Sequence, residues 1–111
     1  MYEGFSVDLQ MERIITPDGI FDEGTHHCIA ISYEPDNDYI KLRMNDENLQ
    51  DISLDAKYRC YISTKSEKLL CHGMVEERYR SNSGSILVFK IEDGFYVIPE
   101  EKKPIKKTVE I

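Results

Sequence analysis

A chain of 111 residues with 14 Lys+Arg against 21 Asp+Glu, a net charge of −7, has room for one domain and one modest core. The imbalance lies in residues 1–98, which hold 10 basic and 18 acidic side chains; it argues against nucleic acid and anionic membranes as partners, since both require clustered Lys or Arg. No stretch nears the roughly 18 apolar residues of a membrane span, no basic-then-apolar leader opens the chain, and three cysteines form no paired framework, so a reduced, cytoplasmic setting is expected.

Residues 5–13 (FSVDLQMER) alternate, with Phe5, Val7, Leu9 and Met11 on one side. A helix would scatter those four around its circumference, so a strand is predicted. Residues 16–19 (TPDG) are a turn signal, and 20–24 form a link with Phe21 expected in the core. Residues 26–33 (HHCIAISY) form a second strand, in which His27, Ile29, Ile31 and Tyr33 oppose Cys28, Ala30 and Ser32. The polar run 34–38 (EPDND) turns the chain into 39–44 (YIKLRM), with Ile40, Leu42 and Met44 inward. Residues 45–56 (NDENLQDISLDA) break the alternation. They read as a connection anchored by Leu49, Ile52 and Leu54, with a short helical turn capped by Asn45 or Asp51.

The second half reads as a meander. Residues 57–63 (KYRCYIS) put Tyr58, Cys60 and Ile62 on one face. A polar loop, 64–68, leads to the long strand 69–80 (LLCHGMVEERYR), where neither parity is wholly apolar. Gly73 is the expected place for a bulge or bend. After the turn 81–84 (SNSG), residues 85–91 (SILVFKI) are apolar on both parities and should be the most buried strand. The turn 92–94 (EDG) precedes a last strand, 95–98 (FYVI). From residue 99 the sequence PEEKKPIKKTVEI replaces alternation with proline and lysine, as expected of a mobile charged tail over 99–111.

Six or seven short antiparallel strands with turns every few residues point to an all-β domain over 1–98, a small split barrel. Closure would also remove the hazard of open sheet edges. A sandwich is the alternative, and there is no Trp between paired cysteines to support an immunoglobulin type.

Little in this pattern suits catalysis. His27 or Cys28 with Cys60, Cys71 and His72 could be read as zinc ligands, with Cys60 and Cys71 neighbours across the 64–68 loop. Adjacent strand residues point to opposite faces, however, and neither C-x2-C nor H-x3-H is present. The cysteines are therefore expected as core side chains, with no metal site. Cys71 and His72 have the wrong geometry for a nucleophile and its base, and no G-x-S-x-G occurs. The expectation is a non-enzyme. Aromatic side chains concentrate in the meander, and some must face outward. Tyr61, Phe95 and Tyr96 are the candidate contacts for a protein partner or for self-association.

Residues 51–56 (DISLDA), followed directly by a strand, resemble the D/N-x-S-x-x-G element of PilZ domains, small six-stranded barrels that bind cyclic di-GMP. The strand order also resembles the PilZN-like barrel of flagellar-brake proteins. The resemblance spans about residues 26–98 in outline and implies a regulatory or interaction module of the bacterial cytoplasm, with no resident cofactor. Ala56 stands where PilZ has Gly, and the R-x-x-x-R that grips the nucleotide phosphates has no counterpart upstream. These departures argue against cyclic di-GMP. If a small ligand such as cyclic di-GMP or a flavin nucleotide binds, Arg43, Asp51 and Ser53 are the residues implicated.

Overall fold

The apolar alternation becomes strands wherever it was read. The computed structural model describes residues 4–17, 19–46 and 48–98. Its strands are β1 (Ser6–Ile14), β2 (Thr25–Glu34), β3 (Tyr39–Met44), β4 (Ala56–Ser63), β5 (Lys68–Ser81), β6 (Gly84–Ile91) and β7 (Tyr96–Ile98). The first six close into an antiparallel barrel in the order β1-β2-β3-β6-β5-β4, with β4 returning to β1. β7 is added along β5, beyond the end of β6. Among the described residues no helix is long and apolar enough to cross a membrane. The expected tail, 99–111, lies outside the described residues.

Inward positions fill the barrel. Val7 and Leu9 of β1, Ile40 and Leu42 of β3, Tyr58, Cys60 and Ile62 of β4, and Leu87 and Phe89 of β6 are all fully buried. Removing each such side chain from water contributes about 1.5–3 kcal/mol. β6 buries Ser85, Leu87, Phe89 and Ile91 on one face, whereas on the other Ile86 is buried and Gly84, Val88 and Lys90 are half-buried, so its two-sided apolar run is only partly matched by two-sided burial. Phe5, Tyr33 and Phe95 pack on the core where β1 and β3 begin; the rings of Tyr33 and Phe95 meet edge to face at 5.9 Å. Ile52 is a fully buried anchor on the 45–55 connection.

Bulges curl the sheet and explain where strict alternation fails. β1 gains an extra residue at Glu12 and β2 at Ile31. The second turns Tyr33 inward, opposite Ile40, instead of leaving it beside His27. β5 is bulged at Glu76: Val75 pairs with Phe89 and Glu77 with Val88. The expected irregularity at Gly73 is thus displaced. Gly73 itself is a buried, regularly paired position at which a Cβ would overlap the Lys90 carbonyl oxygen, so the close approach of β6 demands glycine there.

Three local expectations are corrected. Phe21 is 48% exposed rather than in the core, and Leu54, at 39%, is not an anchor. The helical turn exists as a 3-10 turn, Leu49–Asp51, but its N-cap is Asn48, with no capping side chain; Asp51 lies inside it.

Candidate functional site

The β5 bulge sets up a cleft. Without Glu76 as an extra residue, Glu77 would follow Val75 onto the inner side of the sheet. With it, Arg78 takes that side, paired across from buried Leu87. The Arg78 Nη1 donates to the carbonyl oxygens of Leu49 (3.1 Å) and Ile52. One guanidinium therefore ties the far half of β5 to the connection that precedes β4. Between them, the end of β1 and the 20–24 link lies a cleft of about 790 Å³.

Its floor is polar and internally bonded. His26 is the one buried histidine, at 8% exposure. Its Nε2 lies 2.6 Å from Asp22 Oδ2, while Asp22 Oδ1 accepts the Gly24 N–H at 2.8 Å. The hydrogen bond to His26 holds the Asp22 carboxyl below its usual range, against the opposing effect of burial. The Ser53 N–H donates to Tyr58 Oη at 3.0 Å, and burial raises the Tyr58 phenol above its usual value. Ser53 Oγ accepts the Asp55 N–H at 3.0 Å, closing a local turn. Among the described residues no hydrogen bond joins Ser53 to His26.

Asp51 and Ser53 are thus brought together on the cleft wall, but Arg43 is not. Arg43 is exposed on β3, opposite Ile29 and Ile86, with its stem beside Gly84. Arg78 is the arginine at the cleft. No local signal in the sequence locates it, because both Glu77 and Arg78 are polar and the register against β6 selects which turns inward.

The three aromatic candidates divide. Tyr61, Leu70 and Tyr96 form one row across β4, β5 and β7. Lys68 Nζ lies 5.8 Å from the Tyr61 ring centre, and Tyr96 is 52% exposed. Phe95 is turned away, against Tyr33 and the core, and does not share that outward row.

The cysteines sit as core residues. Cys60 and Cys71 are direct cross-strand partners, and Cys28, Cys60 and Cys71 are all buried and unbridged. Burial pushes the Cys28 thiol up to about 12. The neighbouring Cys71 thiol, together with burial, raises Cys60 well above its usual value. Among the described residues no three His, Cys, Asp or Glu side chains are placed to hold a metal. No known protein family, curated protein or solved structure matches the chain.

Proposed function

We propose that this domain is a non-catalytic interaction module, loosely PilZ-like and regulatory in type, that engages a protein partner or a second copy along β7. One observation carries the reading. Among the described residues β7 ends the sheet, pairing with β5 and with no other strand, and it exposes Tyr96 and Val97 by 52% and 58%. An edge strand of this kind offers unpaired backbone groups beside apolar side chains, the usual requirement for adding a strand from another chain. The Tyr61–Leu70–Tyr96 row extends that surface over two neighbouring strands.

A photoreactive side chain at position 97 tests this in extracts of the host cell. Protein adducts should form from position 97 and not from position 41 on β3. Sedimentation velocity separates the two occupants. A coefficient that rises with concentration, and stays flat in a Tyr96→Ser/Val97→Lys variant, identifies a second copy. A monomer at every concentration that also yields no adduct rejects the reading.

The second reading is a small-ligand barrel, supported by the cleft that unites Asp51 and Ser53. A ligand at about 100 times its dissociation constant adds about 2.7 kcal/mol to the folded state, and in a domain this size that moves the melting point by over ~5 °C. Cyclic di-GMP and FMN are the nucleotides to scan.

A further inference from the structure

We infer that the cleft accepts an organic cation with an apolar body, an ammonium on an aliphatic or aromatic skeleton, rather than a phosphate-bearing nucleotide. The inference rests on the second reading above and is independent of docking at β7. At about 790 Å³ the cleft falls within the size range of small-molecule sites. Its rim supplies an apolar wall. Ile20, Phe21 and Leu54 all line it, exposed by 86%, 48% and 39%. Such side chains converging on one concave surface gain by covering a ligand's hydrocarbon.

The charges select the sign of that ligand. Among the described residues, Asp22, Asp51 and Asp55 line the cleft against the single guanidinium of Arg78. Arg78 already spends Nη1 on two backbone carbonyls, and Asp22 is bonded to His26 and Gly24. Asp51 and Asp55 have no basic side chain within ion-pair distance among the described residues. Two free carboxylates beside an apolar wall attract a cation and repel a phosphate, and partial exclusion of water by the ligand strengthens both effects.

The test compares two probes of matched shape and opposite charge, 2-phenylethylammonium and 3-phenylpropanoate, at fixed ionic strength by amide NMR titration. The cation should move amides of residues 20–22 and 50–55, and the anion should leave them in place. An Asp51→Asn/Asp55→Asn variant should bind the cation about tenfold more weakly, the equivalent of about 1.4 kcal/mol. Both carboxylates are exposed, and unchanged amide positions elsewhere in the variant confirm its fold. Equal response to the anion, or a cation response unaltered in the variant, overturns the inference. Response to cyclic di-GMP or FMN at these amides, with none to the cation, keeps the cleft as a ligand site and rejects the cation. Silence toward all the probes at millimolar concentration rejects both.

Discussion

Asp22 shows how one side chain orders a segment with little apolar anchoring. The link that carries it leaves Ile20 and Phe21 in water, so it is held largely by polar contacts. Asp22 supplies three: its N–H reaches Met11 Sδ at 3.3 Å, and its carboxylate takes His26 and the Gly24 N–H. A carboxyl held below its ordinary value of 3.8 stabilises the fold above that value and loses its contribution as the pH falls through the lowered one. Asp22→Asn should therefore destabilise the protein by about 1 kcal/mol at neutral pH, a figure kept small because the pair is partly solvated. Urea unfolding of both proteins as a function of pH checks this. The gap should narrow below pH 3.8 and close once Asp22 is protonated in the folded chain. A gap that widens in acid would contradict the assignment.

At the scale of elements, the clasp between β5 and the 45–55 connection is the feature on which the cleft depends. Among its described residues the connection has only Ile52 fully buried and one 3-10 turn, whose amides bond within residues 48–52. Arg78→Ala removes both carbonyl contacts, each charge-assisted on one side. We expect local opening of the connection to become easier by about 2 kcal/mol, with about 30-fold faster hydrogen exchange at the Asp51 and Ile52 amides. Amides of the β1–β4 ladder should keep their native rates. The strands were legible in the sequence because half-buried alternation, as in 5–13, 39–44 and 57–63, is written residue by residue. The bulge was not. Beyond Val75 both parities of β5 are polar, so nothing local says which of Glu77 and Arg78 turns inward; the pairing with β6 decides. The cleft was half legible. The short pattern at 51–56 placed Asp51 and Ser53, but the cleft joins segments far apart in sequence, and pairing brought Arg78 there in place of Arg43. Phe21 misled for a related reason: an aromatic in a link looks like an anchor unless the wall it might cover is known to be filled already.

For the molecule as a whole, closure makes the interior one cooperative object, and the three thiols report on it. Cys28, Cys60 and Cys71 come from β2, β4 and β5, and none is more than 1% exposed. Every core strand pairs on both sides, so an interior thiol meets water only when a ladder of the closed wall parts. A domain of this size has a global stability of about 5–10 kcal/mol, which suppresses labelling from the open state by roughly 10⁴- to 10⁷-fold. Burial pushes the Cys28 thiol up to about 12, the neighbouring Cys71 thiol together with burial raises Cys60 well above its usual value, and all three sulfurs are shut off from water, so the folded form adds little reaction of its own. All three cysteines should therefore be alkylated at one common rate in native buffer, and that rate should rise with denaturant along the slope of global unfolding. Site-resolved mass spectrometry after timed alkylation reads each thiol separately. Faster labelling of Cys60 and Cys71 than of Cys28 would mean that the β4–β5 hairpin opens by itself, as in a split barrel whose seam lies at β4. A single rate would instead place the molecule's freedom outside the closed wall, in the connection under Arg78 and along β7, the surfaces to which binding is assigned.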